Sequence, residues 1–189
     1  MNKLILASNS DLRKQILKDH KFKFEVISAN IDEEKYNHLH PIEMVKTLSR
    51  LKAEKIAKKK PNSIILGADT TVVLEKENIG KPKNLDDAHN ILSKLSSSTH
   101  KVHTGYTIII PLGKSITSYE TTKITFKKLS EKQINDYIHL HNVLDYAGSY
   151  AIQEGADSFV KNFEGDYLNI LGLPKKALEL LDKNITISK

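Results

Sequence analysis

The sequence predicts an α/β fold, a mixed twisted sheet with flanking helices, and two observations carry that prediction. Apolar runs at residues 3–7, 24–28 and 64–68 alternate with stretches of helical periodicity. Two long segments rich in Thr, Ile and Tyr, at 102–110 and 115–126, then follow one another across a Pro-Leu-Gly-Lys turn, the mark of an antiparallel hairpin. The chain has 189 residues with no internal repeat, low-complexity tract or clear linker. That length suits one domain or a two-lobed unit, and it buries roughly 70% of its unfolded surface without staples.

The elements follow in order. Residues 3–7 read as a buried first strand, and Ser8-Asn9-Ser10 as a polar turn. Ser10 is a good N-cap for a helix carrying Leu12, Ile16 and Leu17. Residues 24–28 alternate as a second strand. Residues 41–59 read as a long helix with Val45, Leu48, Leu51 and Ile56 inward. Two strands are expected at 64–68 and 72–74, separated by a turn that carries Asp69. Asn84 caps a helix through Ala88, Ile91, Leu92 and Leu95, and Ser130 caps another through Ile134, Tyr137 and Ile138. Residues 159–163 form a short strand, and Pro174 opens a closing helix with Leu178 and Leu181.

Composition narrows the function. There is no cysteine, which excludes disulfides and thiolate metal sites and fits a reducing compartment. The apolar run after Met1-Asn2-Lys3 is too short for a signal-peptide core, and no later run reaches a membrane span, so a soluble cytoplasmic protein is expected. The net charge of +6 suits anionic partners such as nucleotides. Arg13 and Arg50 are the only arginines, which leaves little material for reading DNA bases, so no stable nucleic-acid partner is expected.

Several residue groups could carry chemistry. Ligands of open α/β sheets gather outside the carboxyl ends of strands, where Asp69 is expected, followed by Thr70 and Thr71. A carboxylate there can ligate Mg²⁺ or take a proton from water, or it can simply form a turn. Lys81, in Ile79-Gly80-Lys81-Pro82, adds a cation beside a nearby turn. Ser8, Ser10 and Arg13 sit where a strand feeds a helix N-terminus, an anion site by its free N–H groups. Arg13 opposes the helix dipole there, a mild cost that a bound phosphate would remove; otherwise it is a surface arginine beside an ordinary cap. Asp32, Glu33 and Glu34 could hold a hard cation or form a solvated acidic turn. Lys52 and Lys55 fall within the apolar stripe of the 41–59 helix and either snorkel outward or point into a cleft. His100 and His103, three apart on a strand, face opposite ways and read as ordinary polar surface residues; His38 and His40 lack further ligands as well. Glycines beside polar and aromatic residues at 145–150, 153–155 and 164–167 suggest turns or loops approaching a ligand, where the Gln153 amide could read a base edge.

Together these segments resemble the Maf family of nucleoside triphosphate pyrophosphatases. The matching stretches are LASNSDLRKQIL, the DEE around position 33, LSRLKAEKIA, ILGADTTVVLEKENIGKPKNLDDAHNILSKLSSSTHKVHTGYTI and LDYAGSYAIQEGADSFVKNFEGDYLNILGLP, in order from about Leu4 to Leu181. The resemblance implies two lobes around a central cleft, as in inosine triphosphate pyrophosphatase-like folds, often as a homodimer. It implies hydrolysis of a nucleoside triphosphate to the monophosphate and pyrophosphate with Mg²⁺, or with Mn²⁺ or Co²⁺. Carried over by motif, Asp69 is the general base and a metal ligand, Glu33 helps hold the metal, and Ser8, Arg13, Lys52 and Lys81 contact phosphates. Leu12, Thr70 and Gln153 bear on base choice. Thr70 and Gln153 resemble the dTTP/UTP branch. Leu12 departs from it toward a branch that acts on 7-methyl-GTP, since the dTTP/UTP branch usually has a second arginine beside Arg13. Asp11 replaces a common proline, and Ser97-Ser98 a usual Gly-Arg. The expectation is a housecleaning pyrophosphatase for dTTP and UTP. Its rivals are the same chemistry on 7-methyl-GTP and a non-catalytic nucleotide-binding regulator of cell division.

Overall fold

The computed structural model describes residues 3–112 and 114–187. Met1 and Asn2, and Gly113 of the predicted hairpin turn, lie outside the described residues. Among the described residues seven strands form one mixed sheet: β1 (Leu4–Leu6), β2 (Phe24–Val26), β3 (Ile64–Leu74), β4 (Glu77–Ile79), β5 (Thr99–Ile110), β6 (Lys114–Phe126) and β7 (Val160–Glu164). Their order is β2-β1-β3-β5-β6-β7, with β4 pairing to β3. β1 runs parallel to both β2 and β3, whereas β4 is antiparallel to β3 and β7 to β6. The helices are α1 (Asp11–Asp19), α2 (Pro41–Ala57), α3 (Leu85–Leu95), α4 (Glu131–Leu140), α5 (Tyr167–Ile170) and α6 (Lys175–Ile187). No described helix is long and apolar enough to cross a membrane.

The chain divides into two compact units, residues 1–70, 104–120 and 166–189 in the first and 71–103 with 121–165 in the second. In the first, Leu4, Leu6, Leu66 and Tyr106 pack with Ile16 and Leu17 of α1 and with Leu178 and Leu181 of α6. Ile5, Ala7 and Ile65 face the other way, onto Ala53 and Ile56 of α2. This is the period-two alternation of a strand buried on both faces. Gly67 sets how closely α2 lies on the sheet: a Cβ there would stand 2.2 Å from the Ser49 carbonyl oxygen and 2.9 Å from the Ala53 nitrogen. Gly105 of β5 is pressed against Val45 in the same way. Ser49, fully buried, shares a hydrogen bond of 3.0 Å with Thr107.

In the second unit, α3 and α4 pack against each other. Their caps are those expected: Asn84 accepts from Asp87 N–H, and Ser130 forms a capping box with Gln133. An aromatic cluster fills the unit, with Phe126 edge-on to His100, Tyr150 and Phe159. The segment 143–159 winds through short 3-10 turns, with Gly148 and Gly155 at positive φ.

Two expectations need correction here. β3 runs unbroken from Ile64 to Leu74, so Asp69 sits inside a strand and not on a turn beyond one. Thr70, Thr71, Val72 and Val73 are β-branched and continue the pleat, while Gly67 serves helix packing, not chain reversal. His100 and His103 are buried, not surface residues. His100 hydrogen-bonds Tyr150 Oη at 2.8 Å and His103 bonds Thr121 Oγ1 at 2.8 Å.

Candidate active site

Two charged groupings converge within the first unit. The first is built on α2 and β3. Because Gly67 brings the α2 backbone onto β3, Lys52 reaches Asp69, two residues further along the same strand face. Lys52 Nζ lies 2.6 Å from Asp69 Oδ1 and 2.7 Å from Glu33 Oε1. The Asp69 carboxylate is only 9% exposed, whereas that of Glu33, on the 3-10 turn Glu33–Tyr36, is 52% exposed. Burial pushes the Asp69 carboxyl above the usual carboxylate range; Lys52 pulls it down, Glu33 pushes it up and Arg13 opposes the rise. Lys52 therefore points inward, while its neighbour on the stripe, Lys55, is exposed and donates to the Asn30 carbonyl.

The second grouping surrounds Arg13. The side chain is buried, not a surface arginine. Its Nε donates to the Gly172 carbonyl at 2.8 Å, Nη1 to Ser8 Oγ at 3.0 Å and Nη2 to Thr70 Oγ1 at 3.0 Å. Ser10 caps α1 by accepting from the Arg13 N–H. Burial pulls the guanidinium below its ordinary value, and the Asp69 and Glu33 charges push it back up. The two groupings thus share a field, with Asp69, Glu33, Lys52 and Arg13 mutually compensating.

Of the residues singled out from the sequence, Ser8, Arg13, Glu33, Lys52, Asp69 and Thr70 join these contacts. Leu12 lies on α1, half-buried. Lys81 and Gln153 belong to the second unit. Both are exposed, and neither has a hydrogen-bond or ion-pair partner among the described residues. Lys81 follows Gly80, whose carbonyl accepts from Gly148 N–H at 3.0 Å. Sequence reasoning passed over Thr104 and Gly172. Thr104 Oγ1 is 3.0 Å from Thr70 Oγ1 and donates to the Asn169 carbonyl at 2.9 Å. A Cβ on Gly172 (φ +93°) would stand 3.1 Å from Thr70 Oγ1 and 3.3 Å from Arg13 Nε. The only signal for them was their place in the segments HTGYTI and NILGLP.

The donor set suits a hard divalent cation. Two carboxylates reach one nitrogen, and no described group of three or more Asp, Glu or His could enclose a metal alone. Mg²⁺ is commonly held in this manner, by one or two carboxylates with phosphate and water completing the shell.

Comparison with known proteins agrees along nearly the whole chain. The Maf-like protein family model matches residues 3–184. The dTTP/UTP pyrophosphatase of Bacillus cereus (strain B4264) is 41% identical over 174 residues, covering 92% of this chain and 91% of that protein. The dTTP/UTP pyrophosphatase of Geobacillus sp. (strain WCH70) is 42% identical over 174 residues, covering 92% and 93%. Among solved structures, the Staphylococcus aureus Ham1 protein aligns with 66% of this chain and 72% of its own at 17% identity and a TM-score of 0.47. The full-length match to the family model and the identity to these relatives show that the chain belongs to the Maf family.

Proposed function

We propose that this protein hydrolyses nucleoside triphosphates to the monophosphate and pyrophosphate, with dTTP and UTP as its substrates. The observation that carries the reading is the buried Asp69 carboxylate, ion-paired to Lys52 and sharing that lysine with Glu33, in a chain about 40% identical to dTTP/UTP pyrophosphatases. A non-catalytic binder has no use for a buried carboxylate poised in this way, whose retention costs stability.

In this reading Asp69 takes the proton from the water that attacks the α-phosphate. Its raised affinity for protons, imposed by burial, brings it closer to the strength a general base needs at neutral pH. Lys52 holds Asp69 in orientation, and its charge favours the ionised carboxylate against the effect of burial. Asp69 and Glu33 together would hold a divalent cation, Mg²⁺ by preference. Bound there, such an ion supplies Lewis-acid polarisation of phosphate oxygens and neutralises charge. Ser8, Arg13, Lys52 and Lys81 take the phosphate oxygens; the Arg13 fork is suited to bidentate binding. No covalent intermediate is required, since positioning and charge stabilisation suffice for this transfer. Leu12, Thr70 and Gln153 bear on the choice of base. A cytoplasmic housecleaning role and a homodimer go with this reading.

The test is product analysis. Pure protein with Mg²⁺ and each of a panel of triphosphates is expected to release pyrophosphate, fastest from dTTP and UTP. Orthophosphate in place of pyrophosphate would refute the reaction. A much faster turnover of 7-methyl-GTP would refute the substrate.

A further inference from the structure

We propose that Thr104 is a positioning residue for Arg13, acting through Thr70, and that the segment 166–175 is the fixed support of both ends of this relay. The inference rests on the proposed role of Arg13 at the phosphates.

The direction of every hydrogen bond in the relay is determined. The Asn169 carbonyl can only accept, so the Thr104 hydroxyl gives its one proton there, at 2.9 Å. Thr104 Oγ1 must then accept at its 3.0 Å contact with Thr70, and the Thr70 hydroxyl is the donor. Arg13 can only donate, so Thr70 Oγ1 accepts from Nη2 at 3.0 Å. The chain runs one way, from guanidinium to Thr70, to Thr104, to the Asn169 carbonyl. The Thr70 proton is therefore already spent. What Thr70 contributes to substrate choice passes through the placement of Arg13.

Both ends of the relay rest on one short stretch. The Asn169 carbonyl closes it, and the Gly172 carbonyl takes Arg13 Nε directly. Asp166 fixes that stretch at two points, accepting from Leu168 N–H at 2.9 Å with one oxygen and from Lys175 N–H at 2.6 Å with the other. Gly172 leaves Thr70 and Arg13 room to lie against it. Three of the five guanidinium N–H groups are committed within this frame, one each on Nε, Nη1 and Nη2. One N–H on each terminal nitrogen has no partner among the described residues, which leaves the planar fork two donors for a phosphate. Thr104 is fully buried and has no path to substrate of its own, so its effect is on where that fork stands.

The experiment compares Thr104→Val, which keeps the shape and deletes the donor and acceptor, with Thr104→Ser, which keeps both. Thr104→Val is expected to lower kcat/KM for dTTP roughly tenfold, the scale of one mispositioned buried hydrogen bond. Thr104→Ser should restore most of it. The relay also predicts coupling: in a Thr70→Val background, where the link to Arg13 is already cut, Thr104→Val should have little further effect. Nitrogen-15 NMR of the Arg13 Nε–H gives a readout without turnover, and its hydrogen exchange should speed up in Thr104→Val but not in Thr104→Ser. Equal losses for Val and Ser, additive losses in the double variant, or an unchanged Arg13 signal would overturn the proposal. If the unaltered protein releases no pyrophosphate, the functional reading fails instead, and the NMR comparison still decides the relay.

Discussion

Replacing Lys52 by methionine isolates the energetics of the site. The ammonium stands 2.6 Å from Asp69 and 2.7 Å from Glu33, and its removal leaves Asp69 buried without its main compensating charge. Breaking a buried ion pair in this way costs about 3–5 kcal/mol. Here Glu33 is half-exposed and Arg13 still acts on Asp69, so the lower end, about 3 kcal/mol at neutral pH, is expected. The sign of the pH dependence follows from Asp69. Burial already raises its pKa above the unfolded value, and losing Lys52 raises it further. Between the unfolded and folded pKa values the native state then holds a proton that the unfolded chain has lost, so stability falls as pH rises. Lys52→Met should thus be closer to the parent protein in stability at pH 5 than at pH 8. Urea denaturation at both pH values measures this, with Lys52→Met/Asp69→Asn as the control in which the penalty largely disappears. A Lys52→Met protein matching the parent at pH 8, or losing equal stability at both pH values, would refute the ion-pair argument.

Asp69→Asn should bind nucleotide yet lose hydrolysis by on the order of 10²-fold or more, the effect of removing a positioned base; calorimetric binding beside a pyrophosphate assay checks both halves. Gly67→Ala should be strongly destabilising, by about 2 kcal/mol or more, because its Cβ would meet backbone at 2.2 Å and α2 must back away. The same retreat should lengthen the reach from Lys52 to Asp69 and depress activity in whatever fraction folds. Burial lowers the pKa of His100 to about 4, so the unfolded chain takes up its proton first as pH falls through 6.5. Its contribution is complete above pH 6.5 and is lost toward pH 4, to a total of about 3 kcal/mol. A His100→Phe variant should show a flatter stability profile over that interval by thermal or urea denaturation.

What could be read in the sequence was local. Ser10, Asn84 and Ser130 announce their helices because a cap is chemistry between a side chain and a backbone N–H two or three residues away. The unbroken apolar run at Ile64, Ile65 and Leu66 announces a buried strand, whose successive side chains enter cores on opposite faces. The direction of Lys52 was not legible, since periodicity assigns a residue to a helix face but does not say whether a carboxylate waits opposite. Gly67 and Asp69 read as strand breakers by propensity, yet tertiary packing needs the glycine for the close approach of α2, and Lys52 offsets the buried carboxylate. His100 read as surface because its partner, Tyr150, is 50 residues away. The ionic members of the cluster were legible because charged residues beside apolar runs stand out. Thr104 and Gly172 were missed because a threonine in a Thr-rich strand and a glycine before Leu-Pro are unremarkable until Arg13 lies between them.

Under the proposed function, the charge balance of the first unit explains how one cluster can be stable before substrate and still act on it. Asp69, Glu33, Lys52 and Arg13 are two acids and two bases within one another's field. The set is near neutral, so burial of Asp69, Lys52 and Arg13 is tolerable in the resting protein. A triphosphate adds several negative charges to that set, and Lys52 cannot serve it without weakening its hold on Asp69 or Glu33. Under the proposed function the deficit would be met from outside the chain, by a divalent cation on Asp69 and Glu33. Catalytic competence then depends on cations arriving with the substrate, while folding depends only on those already built into the chain.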